Sequence, residues 1–574
     1  MTLTWHGSLQ ADEVVNLGPL ALIQPLLEQL DVASIIDRHL PPDPQLEFSH
    51  GQVLSLLLAA RLAQPTALVN IADWAEKCGA DILWNIPADK LNDDRLGRAL
   101  DDFFEQRHSI LASVTVQALH LTELSLDRLH FDPTHLIFYG AYESSQPRPS
   151  TPLADLRGDD QLPPAHMRHG YLTKHRMIQV GLSAVVDDLG ALPVFSQCLD
   201  GNRNGRPAIR QQFELLEHHL PLPERLLMVS DRGTFSPAHL RRLAAAGYHA
   251  LCSVPMEDFR SVYDAQEAHL QWQPASFLSI EQRRRRDCHS ALPQEHYRLA
   301  VHQHQLTDAS SDQPLPCRLI FVHSSAGEKG AGERRQQNIA KIRAGLQEIA
   351  AKLERGHLNC TPATASKAVI KLFGQRQAAR YFRWHIVTLT PQERAALPRP
   401  PRGRRPRYRL VFSFDTAAAR ADARLDGLFI LLTTAPWSQS GDELFTKFKQ
   451  QNFVELLHHQ WKTPLAVRPV FLKSPRRVEA LVCLLQIALQ AYQVLERRYR
   501  QTVAEDAPVG ERRMTAETLL RQFRTYGLIV ARQPLGRVVH ATRLTSRQRG
   551  ILNQLSLPTP AQTLTRILHP IPSG

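Results

Sequence analysis

Between residues 127 and 254 the hydrophobic period of the chain changes, and this restricts its fold more than any other feature of the 574 residues. RLHFDPTHLIFY, HRMIQVGLSAVV and ALPVFSQCLD are rich in β-branched and aromatic residues and read as strands. DDLG between the second and third is a good hairpin turn. A helix, RPAIRQQFELLEHHL, then leads to a strand, RLLMVSD. Ser236-Pro237, a cap followed by proline at the first helical position, opens the helix AHLRRLAAAG. Gly247 ends that helix, and YHALCSV is again a strand. Three antiparallel strands followed by strand–helix alternation predict an α/β mixed sheet with helices on its faces.

The flanks divide the rest. Residues 1–125 read as a helical N-terminal domain, a candidate for DNA binding, with Ser49 and Asn92 or Asp93 placed to cap helices. Residues 126–254 are the first part of the sheet core. Residues 255–424 are polar, contain strands and one helix near 333–356, and read as an insertion. LDGLFILLTT returns to a buried strand, so 425–505 reads as the second part of the core, with a helix predicted over 443–462. Residues 506–574 read as a basic tail with short helices.

The net charge of +12 and pI near 9.5 point to a polyanionic partner, nucleic acid or an anionic membrane surface. No run approaches 18 uncharged apolar residues, so no membrane span is expected. The first residues, MTLTWHGSLQADE, do not have the pattern of a secretory signal. Seven scattered cysteines without a CxxC pair argue against a zinc ribbon or disulfide framework and for a reducing cytoplasm. The 26 histidines include no HExxH spacing.

Asp132 and Asp231 each end an apolar strand, where a carboxylate is costly unless its charge is offset. In such sheets sites form at the carboxyl ends of strands, so these two acids can meet although 99 positions apart. Paired carboxylates suit Mg²⁺ or Mn²⁺. On the helix 443–462, Phe448, Gln451, Glu455 and Lys462 fall within about 60° of arc and form one stripe. Taken alone, each Asp reads equally as a turn or helix cap, and Glu455 as a surface acid with an ordinary salt bridge.

HFDPTHL, VSDRGTFS and FKQQNFVELLHHQWK together resemble the DDE transposases of bacterial insertion sequences. They are most similar to the IS-four-like branch, whose third motif is Y-x2-R-x3-E-x6-K. Glu455 and Lys462 match that motif; Phe448 and Gln451 stand in place of its tyrosine and arginine. TPLAVRPVFLKSPRRVEALV is similar to sequence that commonly follows the motif, and LNDDRLGRALDDFF resembles a helical module that precedes the core in one subgroup. The resemblance implies a ribonuclease-H-like core split by an insertion, with a helical N-terminal domain and a helical C-terminal region. It implies two Mg²⁺ ions, with Mn²⁺ as substitute, on Asp132, Asp231 and Glu455. It implies cleavage of element-end DNA and transfer of the 3′-hydroxyl to target DNA, with Lys462, Gln451, Phe448 and Arg232 as DNA contacts. The expected partners are the inverted ends and the target, bound by a dimer on DNA in the cytoplasm at the nucleoid. A nuclease of the same fold without strand transfer, or a DNA-binding derivative weakened at positions 448 and 451, are the alternatives.

Other features read two ways. The arginine runs at 283–286 and 399–409 are DNA-backbone contacts or solvated loops. DGNRNGR at 200–206 is a turn near the site. Lys174 and Arg176 face DNA or a strand edge, and His458-His459 reads as helix surface. Trp437 stacks on a base or packs in the core. Were Glu455 to face away, Glu443 and Asp442 would be next in line.

Overall fold

Side-chain caps set the helix starts in the N-terminal module. After the short strand β1 (Glu13–Val15) come α1 (Leu20–Gln29), α2 (Val32–His39), α3 (His50–Ala63), α4 (Ile71–Cys78), α5 (Ala80–Trp84), α6 (Asp93–Glu105) and α7 (Arg107–Thr122). Ser49 accepts from the Gln52 N–H while the Gln52 side chain accepts from the Ser49 N–H, a complete capping box on α3. Asn92 caps α6 by accepting from the Arg95 N–H at 2.8 Å. The computed structural model describes residues 13–40, 44–138, 162–169, 176–201, 205–287, 295–308, 311–355, 361–374, 376–397, 405–463, 465, 472–533 and 536–568.

The period-2 segments form the sheet that the sequence predicts. β2 (Arg128–Phe138) and the short β3 (Arg168–His169) both pair antiparallel with β4 (Arg176–Val186), as does β5 (Ala191–Asp200). Asp187 makes the hairpin turn by accepting from the N–H groups of Leu189 and Gly190. α8 (Gly205–His219) leads to β6 (Leu227–Ser230), and α9 (Pro237–Ala245) leads to β7 (His249–Val254). Pro237 opens α9, but the Ser236 side chain makes no cap bond. β6 is parallel to β2 and β7 is parallel to β6, so the order is β5-β4-β2-β6-β7.

The sheet continues into the segment 255–424. After α10 (Met256–Gln266), β8 (Gln273–Pro274) and α11 (Ile280–Asp287) come the long strands β9 (Tyr297–Asp308) and β10 (Ser311–Ser324). Leu319 to Val322 of β10 are apolar on both faces and fully buried, which requires a place inside a sheet. α12 (Ser325–Glu354), α13 (Pro362–Phe373), β11 (Phe382–Thr388), α14 (Pro391–Ala396), β12 (Tyr408–Phe414) and α15 (Thr416–Ala423) follow. They enclose their own apolar cluster around Ile342, Leu346, Val369, Tyr381 and Leu410. β13 (Leu428–Thr433) then slots antiparallel between β7 and β10. Thus 325–423 forms the body with a core of its own, while β8 to β10 extend the main sheet.

The helix predicted over 443–462 is broken into α16 (Gly441–Lys449) and α17 (Asn452–Lys462). At the break the N–H groups of Gln451, Phe453 and Val454 bond three residues back, a tightened turn. The Gln450 side chain donates to Asp188 at 2.9 Å and the Gln451 side chain bonds β2, holding that turn against the sheet. α18 (Pro475–Thr502) follows. By length and composition it could cross a membrane, and its apolar stretch is wholly buried within the protein.

Residues expected as a tail instead fold: α19 (Val509–Arg512), α20 (Ala516–Arg521), β14 (Leu528–Gln533), β15 (Gly536–Ala541), α21 (Ser546–Gln554) and α22 (Pro560–Leu568). β14 pairs with both β1 and β15. One apolar cluster joins the N-terminal helices, α17, α18, the C-terminal elements and one face of β4.

Candidate active site

The parallel register of β2 and β6 sets Phe131 beside Ser230. Asp132 and Asp231 are the residues that follow this last pair. Side chains alternate along a strand, which decides the face they share. Phe131 and Met228 lie in the cluster on one face. Leu227 and Val229 lie in the cluster on the other, with Leu444 and Phe445 of α16. Asp132 and Asp231 belong to this second face, under α16 and α17.

α17 lies along β2 and touches it at three points. At its start, Gln451 donates to the Phe131 carbonyl at 3.2 Å and accepts from His130 Nδ1–H at 2.7 Å. In its middle, His458 Nε2 is 3.3 Å from Asp132 Oδ2, though not aligned as a hydrogen bond. At its end, Lys462 Nζ donates to Thr134 Oγ1 at 2.6 Å. Positions 451, 458 and 462 form one helical stripe, and Glu455 lies on it between the first two. Burial drives His130 down to about 3, so its imidazole is neutral and free to donate through Nδ1.

The side chains around the acids have other partners too. Asp132 is 23% exposed. Asp231 is exposed and caps the turn Arg232–Thr234, its Oδ1 accepting the Arg232 N–H at 2.6 Å. Arg232 reaches Glu257 on α10 at 3.2 Å, so its guanidinium is paired. Glu455 is exposed. Its charge is felt by Lys449, whose amine burial lowers, while Glu295 and Glu455 act in the opposite direction. Phe448 is on the far side of the helix break and packs beside Leu444 and Phe445; the predicted stripe through it does not form.

Among the described residues no three His, Cys, Asp or Glu side chains converge to hold a metal ion by themselves. Mg²⁺ usually takes one or two carboxylates and completes its shell with water and substrate phosphate, so carboxylates on this face would need those further ligands to hold it.

His458 is the residue sequence reasoning misplaced. It is 8% exposed and faces Asp132 instead of solvent. Its offset of seven from Gln451 and three from Glu455 was the available signal. His459 is exposed. Trp437 is neither in the core nor beside the acids. It is 62% exposed on the loop after β13, which runs antiparallel to β7 and so ends at the opposite edge from Asp231. Arg318 lies 4.8 Å beneath its ring and donates to the carbonyls of Ala435, Pro436 and Gln439. Asp442 accepts from the Ser276 N–H at 2.9 Å, and Glu443 completes the capping box of α16. Arg283 is 3.7 Å from Asp188, and Arg285 and Arg286 are exposed. Arg176 is the register partner of Phe138. Lys174, residues 202–204 and residues 399–404 lie outside the described residues.

No curated protein matches the chain. A cryo-EM structure of a piggyBac transposase synaptic complex with hairpin DNA is similar at a TM-score of 0.34 and 9% identity, over 97% of this chain and 86% of that one. At that TM-score the likeness carries no weight for fold or function. Residues 12–116, which span β1 and most of the seven N-terminal helices, match the family described as "Domain of unknown function (DUF4277)".

Proposed function

We propose that the chain is a DDE transposase with a ribonuclease-H-like core, cleaving element-end DNA and joining the freed 3′-hydroxyl to target DNA. The observation that supports the reading is the register of β2 and β6, whose last pair, Phe131 with Ser230, directly precedes Asp132 and Asp231. The strand order β5-β4-β2-β6-β7, an antiparallel meander continued by two parallel strands, supports it. So do the three motifs in their order and the net charge of +12.

Asp132, Asp231 and Glu455 would hold the divalent ions, two Mg²⁺ or Mn²⁺, which when bound would activate the attacking oxygen and stabilise the leaving one. Lys462, steadied by Thr134, presents a point charge to a DNA phosphate. Gln451 has no such role, because its amide joins α17 to β2. Arg232 contacts DNA only after leaving Glu257. Phe448 contributes packing in place of the hydroxyl that tyrosine would offer. Bringing two ends together calls for a dimer on DNA.

The test uses the purified full chain, labelled end DNA, a target plasmid and Mg²⁺. Asp132→Asn, Asp231→Asn and Glu455→Gln are each expected to lower cleavage more than about 100-fold, beyond a typical outer-shell loss, with circular dichroism unchanged. Unaltered cleavage by Asp132→Asn overturns the reading. Cleavage without joining makes the chain a nuclease, and DNA binding without cleavage makes it a binding derivative.

A further inference from the structure

We infer that the cavity where α3, α6 and α18 meet is a binding site for a phosphate group, held by the guanidinium of Arg61. The inference does not depend on the acids of the sheet or on any catalysis by them. Its starting point is a charge inside an apolar helix. α3 buries Val53 through Leu62 without a break, and Arg61 is as buried as its neighbours, at 5% exposed. Among the described residues it has no ion pair and no hydrogen bond, and its Nε is out of contact with solvent. Burial lowers it to about 10 with no acid in opposition, so it stays charged at neutral pH. The end of α3 offers it only the partial charge of the helix dipole. A buried charge without a partner is strongly unfavourable, so this one calls for an anion.

Arg61 lines a cavity of about 130 Å³. Leu68, Leu472 and Leu481 give it apolar walls, and Arg477 and Asp93 complete the lining. Pockets for drug-sized molecules begin at about 300 Å³, so this one takes a single small group. Gly97 gives Arg477 its room, since a Cβ there would collide with the guanidinium. Nε and Nη2 of Arg477 donate to Asp101 at 3.1 and 2.7 Å, which leaves Nη1 without a hydrogen bond among the described residues. Asp93, exposed at the first position of α6, acts on Arg477 but is not among the influences on Arg61. The charge of Arg61 is therefore the one in the lining that nothing opposes. A guanidinium fork matches phosphate oxygens two at a time. A second guanidinium beside it suits phosphate, with oxygens on several sides, better than a flat carboxylate. A chain of net charge +12 meets such groups as free phosphate or along a DNA backbone.

The test uses the full chain and two probes, inorganic phosphate and duplex DNA. Urea unfolding is followed in sodium phosphate and in sodium chloride of equal ionic strength, and DNA affinity is measured by fluorescence anisotropy. If the phosphate is free, it is expected to raise the urea midpoint of wild type saturably, Arg61→Leu to abolish that rise, and DNA affinity to stay unchanged. If it belongs to DNA, Arg61→Leu is expected to bind duplex at least about tenfold more weakly. Equal responses of wild type and Arg61→Leu to both probes, whether large or absent, overturn the inference. Asp93→Asn, at an exposed position, decides if Arg61→Leu does not fold. It removes an opposing charge and should tighten the binding of one probe about two- to fivefold. Binding of both probes unchanged or weaker in Asp93→Asn overturns the inference.

Discussion

Gln451 occupies the position of the arginine in the resembling enzymes, and its amide is engaged with the scaffold. It accepts from buried His130 and donates to the Phe131 carbonyl, joining α17 to the strand that carries Asp132. Gln451→Ala leaves both groups unpaired and is expected to destabilise by about 1–3 kcal/mol, measured by urea unfolding. His239 on α9 gives a separate, pH-dependent prediction. It is buried with neither nitrogen partnered. Burial first, then the charges of Arg242 and Arg210, lower it from 6.5 to about 4, with Glu214 opposing. Between those values the unfolded chain binds a proton that the folded chain refuses, so stability falls as pH drops from 6.5 to about 4. His239→Phe should remove about 1.4 kcal/mol of that loss per pH unit across the window and leave the slope above 6.5 unchanged. Urea midpoints at several pH values check this. At this scale the sequence places both Asp132 and Asp231 at strand ends, but β2 continues past Asp132 to Phe138, so only Asp231 ends its strand. His458 was not legible, because a histidine on a polar helix face looks the same whether it meets water or a strand.

Among the elements, the strands and most helix starts could be read from period and caps. The break between α16 and α17 could not, because both halves keep right-handed backbone and the turn is held by Gln450 bonding the β4–β5 turn and Gln451 bonding β2. The return of the chain to the sheet depends on Gly427, just before β13. Its φ is +72°, and a Cβ there would lie 2.3 Å from the Ser324 carbonyl oxygen and 2.6 Å from the Glu328 nitrogen. Gly427→Ala is therefore expected to cost more than about 1 kcal/mol. Amide hydrogen exchange in β13 should rise in that variant, and unchanged protection there would refute the role assigned to the glycine.

For the molecule as a whole, the N-terminal module is built into the core. Arg107 at the start of α7 pairs with Glu479 of α18 at 3.1 Å, with side chains 1% and 2% exposed. Arg107 also donates to the Phe104 carbonyl at 2.6 Å, and Glu479 accepts from the Ala165 N–H at 2.7 Å. A buried pair broken on one side leaves an uncompensated charge. Glu479→Leu is expected to cost about 3–5 kcal/mol, and the double change Arg107→Met with Glu479→Leu to recover much of it. A double-mutant cycle by chemical unfolding measures the coupling. Equal and additive losses would show that the pair does not join the two regions.

By itself the sequence determined what is written within a few residues: the strand and helix periods, the caps at Ser49 and Asn92, the hairpin at Asp187, and Asp231 at the end of β6. These rest on contacts between residues two to four apart, which any short stretch displays. Tertiary structure alone decided which strands became neighbours, that β9 and β10 extend the main sheet, and that residues 509–568 fold around β1 and α18. It also brought His458 to Asp132 across 326 positions. Those outcomes depend on burying both faces of long apolar strands at once, a condition on the whole chain that no local stretch records.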